Sequence, residues 1–182
     1  MSRIQPVDPR TAVGESRQLL DAVHSGLGVT PNFTRVLAHS PAALAGFLGL
    51  YGGIAKASID LATRERIALA IAEGNECQYC VSAHTAIGRH AGLANDEMVL
   101  NRRGGSRDAK AAAAVAFARA LNEHRGEVTA AEFESVRRAG YSDAQIVEII
   151  VIVALNFLTN LIGKSTRLDI DFPRVPLLEA AA

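Results

Sequence analysis

Two short segments, Thr129-Ala-Ala-Glu132 and Ser142-Asp-Ala-Gln145, do most to restrict what this chain can fold into. Each is a capping box. A hydroxyl accepts from the backbone N–H three residues on, and the Glu or Gln there reaches back to the first backbone N–H, so two helix starts are marked without reference to tertiary structure. Weaker start signals recur upstream. Thr30-Pro31 and Ser40-Pro41 each set a hydroxyl before a proline suited to the first helical position, and Thr63 and Ser106 stand where further helices would open. Leu44, Phe47, Leu48 and Tyr51 then repeat at helical spacing, and the helix expected from Thr63 carries Ile67, Leu69 and Ile71 and runs to a stop at Gly74-Asn75. No run of alternating apolar and polar residues flanked by turns competes as a strand. The expectation is an all-α helical bundle.

At 182 residues one domain is the default. The signals divide it into N-terminal helices over about residues 11–56, a central pair over about 60–92, C-terminal helices over about 106–163, and a tail to 182. The last helix is apolar nearly all round, which suits a central position or a subunit interface. Its most apolar run, Ile149 to Leu155, is short of the roughly 20 residues a bilayer needs. With 19 basic and 19 acidic residues, the balance also argues against a nucleic-acid surface. Arg102, Arg103 and Arg107 are flanked by Asp96, Glu97 and Asp108 and read as a solvated loop. Because the first ten residues carry no apolar signal region, a cytoplasmic location is expected.

The chemistry concentrates in Glu65-x11-Cys77-x2-Cys80-x3-His84, which holds both cysteines of the chain. In a reducing compartment a close cysteine pair is redox-active or metal-binding more often than a permanent staple. If a helix begins near Glu76 and runs to Gly92, Cys77, Cys80 and His84 fall within about 60° of one another, at about 100° per residue. Thiols near a helix start face unpaired N–H groups that favour a thiolate. His84 is placed to act as base. Glu65 belongs to the preceding helix and can orient the imidazole only if that helix folds back. Its alternative is a pairing with Arg64 or Arg66, while Glu73 and Glu76 read as solvated. A zinc set of Cys77, Cys80, His84 and His90 has suitable donors, but His90 points about 140° away from Cys77 on the same helix. Neither a metal nor an organic cofactor is expected.

The segment from Glu65 to His84, with its glutamate spacing, resembles the core signature of the AhpD-like alkylhydroperoxidase and carboxymuconolactone decarboxylase superfamily. Gly28-Val-Thr-Pro-Asn-Phe33, Ala154-Leu-Asn-Phe-Leu-Thr-Asn160 and Asp169-Ile-Asp-Phe-Pro173 are similar to its peroxidase-related branch. The resemblance implies a helical homo-oligomer in which Cys80 attacks a peroxide and Cys77 resolves the sulfenic acid as a disulfide. It implies that Glu65 and His84 relay the proton, and that a dithiol partner, in some relatives a lipoyl-carrying protein, restores the thiols. Where well-known members carry a histidine before the second cysteine, this chain has Tyr79, which shortens the relay or simply packs.

The function expected is therefore thiol-dependent reduction of organic hydroperoxides, by thiol–disulfide chemistry. Two alternatives stand beside it: decarboxylase-like chemistry on a lactone acid with incidental cysteines, and a redox-sensing helical oligomer without turnover. Phe33, Phe47, Tyr51 and Phe157 are candidates to line an apolar approach to the thiols, and otherwise belong to the core.

Overall fold

The computed structural model describes residues 1–178. Among them the chain forms nine helices and no strand: α1 (Gly14–Leu27), α2 (Asn32–Leu37), α3 (Pro41–Ile54), α4 (Leu61–Gly74), α5 (Gln78–His90), α6 (Asn95–Arg102), α7 (Ala109–Glu123), α8 (Ala130–Arg138) and α9 (Asp143–Ser165). The last four residues of the expected tail lie outside the described residues.

Both capping boxes form, at Thr129 for α8 and Ser142 for α9, and Ser40 caps α3 with Pro41 at its first position. Other starts shift. Asp60, not Thr63, caps α4, because its carboxylate reaches both the Thr63 N–H (2.9 Å) and hydroxyl (2.8 Å). Asp108, not Ser106, caps α7. Pro31 itself is the N-cap of α2, so Thr30 plays no capping part.

Helix α4 is the hub, packed against α5, α6, α7 and α9. Its Ile67, Leu69 and Ile71 are wholly buried. On one side Ile67, Ala70 and Ile71 join Val115 and Phe117 of α7, Val136 of α8, and Ile146, Ile149 and Ile152 of α9 in the larger core. A second core gathers Leu20, Phe33, Val36, Leu37 and Leu44 from α1–α3 around Cys77, Tyr79 and Cys80. The cysteines thus sit where α5 plugs the second core.

Helix α9 is longer and more continuously apolar than the run Ile149 to Leu155 implied. By length and composition the full 23-residue helix could cross a membrane. Here one face is core, and the opposite face leaves Val147, Phe157 and Leu161 about half exposed.

The segment after α9 is pinned to the α4–α6 corner. Val175 N–H donates to Ser82 Oγ (3.1 Å), Arg102 donates to the Pro176 carbonyl (2.7 Å), and Leu178 N–H donates to Glu73 Oε1 (2.7 Å). Arg102 also pairs with Glu73 Oε2 at 2.7 Å, and both side chains are largely buried. This corrects the reading of both as solvated: Arg102 lies on α6 facing inward. Of that basic group, Arg107 is exposed and pairs with Asp96.

Candidate active site

The turn between α4 and α5 is made by Asn75 and Glu76, the latter at φ 53 in the left-handed region. Helix α5 therefore begins at Gln78, with Cys77 as its N-cap, two positions later than a start at Glu76 would give. The Cys77 sulfur accepts the Cys80 N–H at 3.4 Å. Cys77 and Cys80 are joined as a disulfide, with Cα atoms 5.2 Å apart. Both are buried, with 1% and 3% of their surface exposed.

The reversal at Asn75 and Glu76 lays α5 back along α4 and brings Glu65 across to His84. Nδ1 of His84 and Oε2 of Glu65 are 2.8 Å apart. A carboxylate only accepts, so Nδ1 donates to Glu65, and in the neutral imidazole the lone pair then falls on Nε2. Glu65 is buried and has taken neither alternative partner: Arg66 pairs with Glu97 at 3.0 Å, and Arg64 donates to the Ile54 carbonyl at 2.7 Å.

A cavity of about 560 Å³ opens between α1–α3 and the α4–α5–α9 face. It is lined by Cys80, His84 and Glu65 together with Arg64, and by apolar groups including Phe33, Phe47, Tyr51, Ile87 and Leu155. Cys77 is not among its walls. Its sulfur lies against Gly163 of α9, where a β-carbon would sit 3.2 Å from Cys77 Sγ and 3.6 Å from Cys80 Sγ. The two sulfurs are thus inequivalent: Cys80 lines the cavity that His84 also lines, and Cys77 lies off it against α9.

Three of the four candidate aromatic residues line this cavity, with Phe33 and Phe47 edge-on at 5.0 Å and Phe47 stacked on Tyr51 at 5.7 Å. Phe157 does not. It lies on the outer side of α9, beside a separate groove with Asn75, Asn160 and Lys164. Tyr79 packs: its ring meets Phe172 edge-on, its hydroxyl accepts the Phe33 N–H at 3.2 Å, and burial, with the Asp171 carboxylate, pushes its phenol far up. It stays protonated at neutral pH and offers no base. His90 is exposed at the end of α5, and among the described residues no three His, Cys, Asp or Glu side chains cluster as metal ligands.

Reading the sequence alone passes over two residues of this site. Gly163 lies inside a helix with nothing local to mark its closeness to the sulfurs. Arg64 was weighed only as a partner for Glu65, and its place on the cavity wall depends on α3.

The model of the carboxymuconolactone decarboxylase family matches residues 41–123, a span that holds Glu65, both cysteines and His84. No curated protein matches the chain. Among solved structures, it is similar to an uncharacterized peroxidase-related protein from Ralstonia eutropha JMP134, described as an alkylhydroperoxidase AhpD core. The two are 26% identical over 93% of this chain and 92% of that one, with a TM-score of 0.82. A peroxidase-related protein from Silicibacter sp. TM1040 is 24% identical over 91% of each chain, with a TM-score of 0.78. The debrominase Bmp8, solved with 2,3,4-tribromopyrrole, shares the fold at 21% identity and a TM-score of 0.78, over 92% of this chain and 91% of that one.

Proposed function

Because the chain belongs to the AhpD-like and carboxymuconolactone decarboxylase superfamily, we propose that it is a thiol-dependent peroxidase acting on organic hydroperoxides. One observation carries the reading: Cys80, His84 and Glu65 line the same cavity, while Cys77 lies within disulfide reach of Cys80 but off that cavity.

In the reduced protein, Nε2 of His84 takes the Cys80 proton, with Glu65 holding the ring and offsetting the imidazolium charge. The Cys80 thiolate attacks the outer oxygen of R–O–OH. The S–O bond forms as the O–O bond breaks, the alkoxide leaves as ROH with the proton from His84, and Cys80 becomes a sulfenic acid. Cys77 then attacks the Cys80 sulfur, forming the disulfide and releasing water. Two thiols are oxidised for each hydroperoxide reduced.

Helix dipole and capping favour the Cys77 thiolate, because its sulfur accepts the Cys80 N–H at the start of α5. Access favours Cys80, since a peroxide in the cavity meets only that sulfur. Access decides the first step, and the cap serves the second by easing Cys77 ionisation when it must attack.

A dithiol of small cross-section, such as a lipoyl arm, suits the return to the reduced state, because a buried disulfide is reached through the cavity and not by a flat protein face. Assembly as a homo-oligomer through the exposed apolar side of α9 belongs to the same proposal.

The test is a titration of the pre-reduced protein with cumene hydroperoxide. Loss of about two thiols per peroxide consumed supports the reading. Turnover of a lactone acid that survives alkylation of both thiols would point to decarboxylase chemistry instead, and a single oxidation that no dithiol reverses would point to a sensor.

A further inference from the structure

The cavity wall carries one guanidinium, Arg64, and the bonding of that side chain is incomplete. Its Nη1 donates to the Ile54 carbonyl at the end of α3, its Nε is enclosed by protein without a hydrogen-bond partner, and its Nη2 makes no hydrogen bond among the described residues. No carboxylate lies within ion-pair distance of it among the described residues. Glu65, the neighbouring acid, is engaged by His84, and Glu148 is held by the Ser58 N–H and hydroxyl and the Ile59 N–H. The enclosed Nε is out of a ligand's reach, so Nη2 is the donor left to meet one, and the usual partner of a guanidinium is a carboxylate.

We propose that Arg64 is the anion anchor of the cavity, so that the hydroperoxides it takes are amphipathic acids. The carboxylate sits on Arg64, the apolar body lies against Phe47 and Tyr51, and the O–O bond is presented to Cys80. The anchor rests on the peroxidase reading only for the identity of the reactive end. A volume of about 560 Å³ is ample for a medium-chain acid, and apolar walls with one or two placed polar groups are the ordinary pattern of a small-molecule site. Glu65 does not compete for Arg64, because its carboxylate is held by His84 Nδ1.

The test has a binding arm and a turnover arm. In the first, the oxidised protein is titrated calorimetrically with decanoate and with decanol, which differ at one end only. A charge-assisted bond to the guanidinium should make decanoate bind about tenfold to a hundredfold more tightly. Arg64→Met should weaken decanoate far more than decanol and so erase that preference, while Arg64→Lys, which retains a donor for the Ile54 carbonyl, should keep part of it. In the second arm, a hydroperoxy fatty acid and its methyl ester are compared, and the acid should show the lower KM in the wild type only.

Equal binding of decanoate and decanol by the wild type, or a preference that persists in Arg64→Met, overturns the anchor even if both hydroperoxides are reduced. Conversely, a decanoate preference that depends on Arg64, in a protein that consumes no peroxide, retains the anchor and removes the peroxidase reading.

Discussion

Replacing Gly163 with alanine tests whether α9 seals Cys77. Gly163 lies inside α9, and a β-carbon there meets Cys77 Sγ at 3.2 Å, Cys80 Sγ at 3.6 Å and the Tyr79 β-carbon at 3.9 Å. These neighbours cannot easily retreat. The sulfurs are bonded to each other, and Cys77 is fixed as the N-cap of α5 by its own backbone bond to the Ala72 carbonyl at 2.8 Å. Overpacking of this kind costs roughly 1–3 kcal/mol. Alanine inside a helix also recovers about 1 kcal/mol relative to glycine. Gly46→Ala, in exposed α3 with nothing within 4 Å of its β-carbon, shows that gain alone. Subtracting the two variants cancels the helix term, so Gly163→Ala should fall about 1–3 kcal/mol below Gly46→Ala in urea unfolding of the oxidised protein. If the two variants gain equally, α9 does not press on the disulfide and the seal over Cys77 is wrong.

Further outcomes follow from the same structure. Burial alone would raise the Glu97 carboxyl, but bonds from Ser106, Asn101, the Arg107 N–H and Arg66 outweigh it and hold the group down at about 2. The unfolded chain, at the ordinary 4.5, binds the proton at higher pH, so this stabilisation is full above 4.5 and fades as pH falls towards 2. It amounts to roughly 3 kcal/mol, and acid unfolding of Glu97→Gln should be flatter across that window; an unchanged pH profile counts against the network. Glu65→Gln should lower peroxide turnover roughly a hundredfold by loosening the oriented base, with its thermal midpoint measured alongside to separate lost folding from lost chemistry. In the reduced protein, iodoacetamide followed by peptide mass spectrometry should label Cys80 before Cys77; the reverse order would contradict the assignment of the cavity.

How far the sequence reached depends on how local each determinant is. The capping boxes at Thr129 and Ser142 close within four residues and were legible as such. Asp60 and Asp108 cap by the same chemistry, yet Thr63 and Ser106 stood close enough to mislead, because several oxygen side chains near a helix start compete for the same N–H groups. The shared face of Cys80 and His84 follows from helical spacing alone. The bond from Glu65 to His84 needs the left-handed turn at Glu76, where no glycine announces it. Arg102 with Glu73, and Gly163 against the sulfurs, join residues far apart in the chain. No local pattern encodes them, and a charged pair such as Arg102 and Glu73 reads as surface until its burial is seen.

The division of labour between the two cysteines is the central claim, and it can be observed on one intermediate. Reduced Cys77→Ser, given one equivalent of cumene hydroperoxide and then dimedone, should yield a stable adduct located by mass spectrometry on Cys80, while Cys80→Ser should consume no peroxide. An adduct on Cys77 in the Cys80→Ser protein, with peroxide lost at the wild-type rate, would reverse the roles and contradict the account.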